Sequence, residues 1–256
     1  MIFVTLCISV LHHGFDKKVQ RAINRLQTIE QTQAIVEAAR TLQFRTVSIS
    51  LIYGLPQQTT QSFSQAVEDV LQLAPDRISL QGYQHQPDKH PIQQRINAAE
   101  LPSIANLEAM LKGTQLQLEQ AGYRYIGMGH FALADDDFAY AQEDGTLQQG
   151  IQGYSTSANC DTLGFGVSAV SQLGNLYYHN SHDINSYQTA CRNQQLPPAT
   201  GVLCTKKDQI HRAVIQALTC QFEVNFSYYF SVYRIIWFIT SYSGWSSNII
   251  FLYISI

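Results

Sequence analysis

The sequence predicts an α/β protein in which strands and helices alternate around a largely parallel sheet. From Arg21 to about Ala199, β-branched apolar runs alternate with segments whose apolar residues recur at helical spacing. The run Val47 to Thr59, VSISLIYGLPQQT, stops at Gly54-Leu55-Pro56, and a proline cannot donate a hydrogen bond to a sheet. In parallel α/β proteins such strand ends are where binding and catalysis usually take place.

Each element follows from its own pattern. The apolar start, Met1 to Leu11, lacks a basic flank and favours a buried strand over a signal segment. Amphipathic spacing predicts helices over 31–42, 62–73 and 103–121, the last of them closed by Gly122. Apolar and β-branched runs predict strands over 46–53, 77–83 and 123–128.

Two later segments carry weaker signals. The run Asp135-Asp136-Asp137 would suit a cation, but three aspartates more often cap and solvate the start of a helix. The segment Leu163 to Gly174, LGFGVSAVSQLG, lacks the spacing of a phosphate-binding loop. Close backbone packing is therefore the expected use of its glycines.

The composition narrows the class of protein. A formal charge of −3 over 256 residues gives no general electrostatic argument for binding nucleic acid. Five scattered cysteines form no CxxC or CxxxCxxC group, so neither a disulfide scaffold nor a cysteine metal motif is predicted, and a reducing cytoplasm is expected. These cysteines are Cys7, Cys160, Cys191, Cys204 and Cys220.

The composition changes sharply after Asn225. Residues 226–256 hold one charged residue, Arg234, among many aromatic, Ile and Ser residues. An aberrant, out-of-frame end would explain this change. A membrane anchor is the alternative, but Arg234 and the polar group Ser241 to Asn248 interrupt the apolar run, so membrane association is not expected.

Candidate ligand-binding side chains include a basic cluster and several histidines. Arg21 and Arg25 lie one helical turn apart in FDKKVQRAINR and could face a carboxylate or phosphate, although a solvated helix face is the alternative. The histidines lack a decisive metal spacing and are expected at the surface or in loops. They include His12-His13, His85 with His90, His130, and His179 with His182.

Six segments, in order, resemble one known family: FDKKVQRAINR, LIYGLPQQT, PDRISLQGYQH, GYRYIGMGHFA, IQGYSTSANCDTLGFGVSAV and HRAVIQALTCQF. Over about Ile8 to Asn225 the chain resembles the oxygen-independent coproporphyrinogen III oxidases, radical S-adenosylmethionine enzymes of haem synthesis. The resemblance implies the later portion of a partial (β/α) barrel with its extension over 1–175 and the truncated start of a mostly helical domain over 176–225. Residues 226–256 are then an aberrant tail, and the cluster-binding N-terminal part of the family is expected to be missing.

The resemblance also implies cofactors and a substrate. The family's CxxxCxxC motif holds a 4Fe-4S cluster that reduces S-adenosylmethionine to a radical, which attacks the propionates of coproporphyrinogen III. A monomer is expected. Because the motif is absent here, no catalytic residue or metal ligand is assigned, and the isolated chain is expected to be inactive. The alternatives are a remnant that binds cofactor or porphyrin weakly, and a protein anchored in a membrane by its tail.

The resemblance carries over to the site position by position. Arg25 matches a cofactor-contacting arginine whose guanidinium suits the methionine carboxylate. Ser50 stands where relatives usually carry Asp, and Gly129 also replaces an Asp. His13 stands where relatives usually have Gln, with Gly14 in place of the following Asp, and Gln84 stands where they often have Ala. The implied cofactor-binding positions are Arg25, His13, Ser50, Gln84, Gln152 and Val170.

Overall fold

The computed structural model describes residues 7–150, 153–157 and 160–224, together with the backbone of 237–238 and 253–254. The chain forms two compact units. The first comprises Met1–Leu147 with Tyr154–Thr156, and the second comprises Gln148–Gly153 with Ser157–Ile256. Each unit is described separately below.

The first unit alternates strands and helices as predicted. Its strands are β1 (Cys7–His12), β2 (Thr46–Tyr53), β3 (Arg77–Gly82), β4 (Tyr123–Gly127) and β5 (His130–Leu133). Its helices are α1 (Lys17–Ala22), α2 (Ile29–Thr41), α3 (Thr60–Gln72), α4 (Ile104–Gln120) and α5 (Asp137–Glu143). Two short 3-10 turns, Pro91–Arg95 and Ala98–Glu100, precede α4.

The five strands form one sheet in the order β1-β2-β3-β5-β4. β1, β2 and β3 pair in parallel, whereas β5 is antiparallel to both of its neighbours. The predicted α/β fold with a largely parallel sheet is confirmed. The sequence did not predict β5, which begins after Met128 and Gly129 reverse the chain with φ values of 45° and 77°.

Helices α2, α3 and α4 cover one face of this sheet. Val47, Ile49 and Leu51 alternate along β2 and are fully buried in the core with Phe63 and other α3 residues. Because side chains alternate across a strand, the residues between them belong to the opposite face. One face of the sheet therefore forms the core, and the other is free to carry polar groups.

Local capping explains where the helices begin. The predicted closing glycine, Gly122, has a φ of 88°, which favours glycine. Thr28 and Thr59 form capping boxes at α2 and α3, and Ser103 caps α4. Asp136 caps α5 by accepting from the Phe138 N–H, so the structure supports a capped helix start at Asp135-Asp136-Asp137.

The second unit is built around a small antiparallel sheet. Its strands β8 (Val170–Leu173), β9 (Leu176–Asn180) and β10 (Ala199–Leu203) pair in the order β10-β9-β8. Its helices are α6 (Ile184–Arg192) and α7 (Lys206–Gln216), the latter continued by a π-helical turn, Ala217–Gln221. The short strands β6 (Gln148–Gly150) and β7 (Gly153–Ser155) lie at the boundary between the units in sequence.

The C-terminal tail lies almost wholly outside the described residues. Two short strands, β11 (Trp237–Phe238) and β12 (Tyr253–Ile254), pair antiparallel there. The predicted aberrant tail over 226–256 therefore remains a prediction. Within the part of the chain that the structure describes, no helix combines the length and the apolar character needed to cross a bilayer.

Candidate functional site

The sheet face of the first unit that lies opposite α2, α3 and α4 is called the open face below. It carries a row of side chains at one level of the sheet. The strand register aligns Leu11, Ser50, Ser79 and His130 across β1, β2, β3 and β5. The hydroxyl oxygens of Ser50 and Ser79 lie 2.7 Å apart, and both side chains are buried. Ser50, a predicted cofactor position, therefore lies in the middle of this row, where it offers a neutral hydrogen bond and no charge.

His130 forms the end of the row. Its Nδ1 lies 3.2 Å from the Met128 carbonyl oxygen, and its ring meets Tyr154 edge to face at 5.2 Å. Burial is the largest cause that lowers the pKa of His130, and the positive charge of Arg77 adds to it. The ring is therefore neutral at physiological pH and can exchange hydrogen bonds without carrying charge.

On the same face, two residues before Ser79, the charge of Arg77 is already neutralised by an ion pair. Arg77 donates from Nε to both carboxylate oxygens of Asp136 at 2.9 Å. The Arg77 guanidinium carbon also lies 3.4 Å from the centre of the Phe138 ring. Since Arg77 is engaged on both sides, it is not available as an anion-binding group and instead fixes the start of α5 to β3.

A basic pair follows the C-terminal end of β1. Burial is the main cause that lowers the pKa of His13, and Arg25 is the second cause, so the two side chains interact electrostatically. Arg25 is exposed, and within the described residues its guanidinium has neither a hydrogen bond nor an ion pair. The structure thus brings Arg25 and His13, both predicted site residues, to the same side of the unit, with Arg25 free to bind a carboxylate.

The predicted helical pairing of Arg21 with Arg25 is wrong. Helix α1 ends at Ala22, and Asn24 adopts a left-handed φ of 53°. Arg25 therefore lies beyond the helix, and the two arginines do not share a helical face.

His12 is also not the surface or loop histidine that was expected. It is fully buried at the end of β1, where Nδ1 accepts from the Gly14 N–H at 3.0 Å and its ring packs on Phe15. The neutral ring must then carry its proton on Nε2, which has no partner among the described residues. Burial, with a smaller contribution from His13, lowers the pKa of His12 to about 4.

Gln58 holds the loop after β2 and was not identified from the sequence. Its buried side-chain oxygen accepts from the N–H groups of Gly54 and Leu55 at 2.6 and 3.1 Å. Its amide nitrogen donates to the Ile52 carbonyl at 3.2 Å. Gly54 has a φ of 86°, and a side chain there would meet Leu107 at 3.0 Å. The motif LIYGLPQQT therefore forms a turn that the hydrogen bonds of Gln58 hold in one conformation, and this turn fixes the end of β2.

The remaining predicted positions are dispersed. Gln84 is exposed after β3, with its carbonyl oxygen accepting from Gln93 Nε2 at 3.1 Å. Gly129 approaches β3 so closely that a Cβ atom would lie 2.7 Å from the Leu80 carbonyl oxygen. Val170 opens β8 in the second unit, and Gln152 lies outside the described residues.

Within the described residues, the cysteines do not come together in a metal-binding group. Across 7–150, 153–157 and 160–224, no three His, Cys, Asp or Glu side chains are grouped so as to hold a metal ion. Cys7, Cys160 and Cys191 are exposed, and Cys220 is buried. A 4Fe-4S cluster needs converging thiolates, so the described residues do not fit this group.

Comparison with known proteins identifies relatives of this chain. The chain is 55% identical over 219 residues to the oxygen-independent coproporphyrinogen III oxidase of Pseudomonas aeruginosa, covering 86% of this chain and 48% of that protein. It is 38% identical to the enzyme of the same name from Thermostichus vulcanus, covering 82% of this chain and 65% of that protein. No protein-family model matches the chain.

A solved structure also matches the fold of this chain. The structure described as coproporphyrinogen III oxidase from Escherichia coli, a radical SAM enzyme, superimposes with a TM-score of 0.83 at 38% identity. The match covers 88% of this chain and 52% of that one. The chain thus spans about half the length of the Pseudomonas aeruginosa and Escherichia coli proteins and about two thirds of the length of the one from Thermostichus vulcanus. Over the matched residues, the chain is similar in sequence and fold to about half of an oxygen-independent coproporphyrinogen III oxidase.

Proposed function

We propose that this chain contributes to the oxidative decarboxylation of coproporphyrinogen III to protoporphyrinogen IX by a radical S-adenosylmethionine mechanism. The 55% identity to the Pseudomonas aeruginosa oxidase, together with the open polar face of the sheet, supports this function. In such an enzyme, cluster and S-adenosylmethionine together supply the radical that removes hydrogen from a substrate propionate. The cluster has no site in the described residues, so the chain's part is to bind and orient.

Each of the candidate site residues has its own role in binding and orienting the ligands. Arg25 is free to bind the carboxylate of the methionine moiety. Ser50 and Ser79 offer hydroxyls to a polar group lying on the open face. His130, neutral at the end of the row, offers a hydrogen bond without adding charge. None of these side chains generates a radical by itself.

The proposal also covers the domain organisation, oligomeric state and cellular location of the protein. Residues 1–175 comprise the barrel portion together with its extension, 176–225 begin the domain that follows, and the protein acts as a cytoplasmic monomer. A net charge of −3 agrees with the absence of a nucleic-acid partner.

The test is an anaerobic assay for vinyl products. The chain alone, reconstituted with iron, sulfide and S-adenosylmethionine, should release no carbon dioxide from coproporphyrinogen III. Addition of a polypeptide that carries the CxxxCxxC motif, taken from the Pseudomonas aeruginosa relative, should restore product formation. Arg25→Ala should reduce that product, whereas Arg45→Ala, at an exposed arginine paired with Asp137, should not. Vinyl products from the chain alone, or none with the added polypeptide, would contradict the proposal.

A further inference from the structure

The second unit holds an apolar loop in a defined shape and leaves its large side chains in solvent. In residues 163–168, the side chains of Leu163, Phe165 and Val167 are 58%, 88% and 39% exposed. They alternate with Gly164 and Gly166, which are half-buried. Single exposed apolar residues are common on protein surfaces, but three in one short loop mark a contact surface.

Two buried side chains, Ser171 and Asn180, and the half-buried Tyr187 hold this loop by hydrogen bonds to its glycines. The Gly164 N–H donates to Ser171 Oγ at 2.9 Å, and the Gly166 N–H donates to the Tyr187 hydroxyl at 3.0 Å. Asn180 Nδ2 donates to the Gly166 carbonyl at 2.8 Å. The loop is therefore preorganised, and a ligand would not have to order it on binding.

The loop leads directly to a predicted pocket position. A Cβ atom at residue 164 would collide with the Val170 carbonyl, so the glycine lets the loop pack on the start of β8. Val170 is a position that the family resemblance assigns to the cofactor pocket. The exposed apolar side chains are thus continuous with that part of the second unit.

Two imidazoles lie at the other end of the loop. Ser168 Oγ lies 2.7 Å from His182 Nδ1, and the rings of His182 and His179 are tilted by 33° with centroids 4.8 Å apart. The neighbouring carboxylate, Asp183, is used by the Asn185 and Ser186 N–H groups at the start of α6. The loop therefore joins an apolar surface to hydrogen-bonding groups suited to an anion.

We propose that the 163–168 loop is a contact surface for a carboxylated tetrapyrrole, with Phe165 against the macrocycle and His182 beside a propionate carboxylate. This inference rests on the proposed function, because that function supplies the ligand class. It assigns a specificity-determining role to a loop of the second unit.

Fluorescence titration of the full chain with coproporphyrin III, the oxidised and fluorescent form of the substrate, tests the loop. Loss of the apolar contact in Phe165→Ser should weaken the Kd about tenfold or more. Leu163→Ser should weaken it in the same direction, and His182→Ala should weaken it for this anionic probe. The matched control is Ile104→Ser in α4, at a residue that is 77% exposed, and it should bind as the unaltered chain does.

Two measurements separate this inference from the proposed function. Thermal unfolding of each variant shows whether the fold is retained, and Leu163→Ser replaces Phe165→Ser if the latter unfolds early. Equal Kd values for loop and control variants, or no binding by the unaltered chain, would overturn the inference. The complementation assay for vinyl products is scored independently. Product formation without any effect of the loop on binding would leave the proposed function intact and reject the loop.

Discussion

The two faces of the five-stranded sheet differ, although the same strands supply both. On the helix-covered face, Val47, Ile49 and Leu51 remain a closely packed apolar series. On the open face, the intervening Ser50 stands where the family resemblance implies an acid, and its hydroxyl hydrogen-bonds to that of Ser79. Because alternate residues of one strand serve the two faces, the fold can be retained while the chemistry changes.

The largest expected effect lies on the helix-covered face. Phe63→Ala removes a fully buried ring from α3 and should lower the free energy of unfolding by about 3–5 kcal/mol, measured by urea denaturation. Leu116→Ala, at a residue of α4 that is 56% exposed, should change it by less than about 0.5 kcal/mol. Similar losses in both variants would show that this face is not a packed core.

The second prediction concerns pH and His12. Its folded pKa of about 4 lies below its ordinary value of 6.5, so the unfolded chain binds the proton more readily between these values. The associated stability is complete above pH 6.5 and is lost as the pH falls toward 4, by about 3 kcal/mol in total.

The variant His12→Val tests this pH dependence. At pH 7 it should change stability little, because it removes an unpartnered Nε2–H but also leaves the Gly14 N–H without its acceptor. Urea denaturation at a series of pH values should give a flatter profile between pH 6.5 and 4 than the unaltered chain. Parallel profiles would mean that His12 is not buried in its neutral form.

The turn after β2 should show an intermediate effect. Gln58→Ala removes the hydrogen bonds to Gly54, Leu55 and Ile52 and should cost about 2 kcal/mol in thermal or urea unfolding. Gln65→Ala, at an exposed residue of α3, should cost less than about 0.5 kcal/mol. If Gln58→Ala matched this control, the turn would be held by its glycine and proline alone.

The smallest effect tests the open face. Ser50→Asp supplies a carboxylate in the middle of the polar row and should tighten S-adenosylmethionine binding about tenfold in calorimetric titration. Ser48→Asp places the same charge on the same face two residues earlier and should not do so. An equal gain in both variants would reflect the added charge rather than the position of Ser50.

Local signals in the sequence predicted most of the first unit. The bounds of β2 agree with the predicted 46–53, and Ser103 and Gly122 mark the two ends of α4 as expected. Strand β5 was missed because HFAL is short and its pairing partner in β3 lies about fifty residues earlier. Propensity describes local conformation, whereas an inserted antiparallel strand depends on tertiary pairing.

The site was predicted less completely for the same reason. Ser50 was identified by comparison with relatives, but its bond to Ser79 depends on the register of two parallel strands. Burial of His12 depends on Phe15 and on the helices above β1, which no pattern around His12 indicates. The pairing of Arg25 with His13 required the chain to leave α1 at Ala22.

The close approach at Gly129 has an evolutionary consequence. The family resemblance implies an aspartate at this position, but here a side chain would collide with the Leu80 carbonyl, at a φ that disfavours any residue but glycine. Reversion to aspartate would therefore need a compensating shift between β3 and β5. A change to aspartate at this position alone would therefore not fit the present backbone, and the acid could be introduced only together with a second change in the packing of β3.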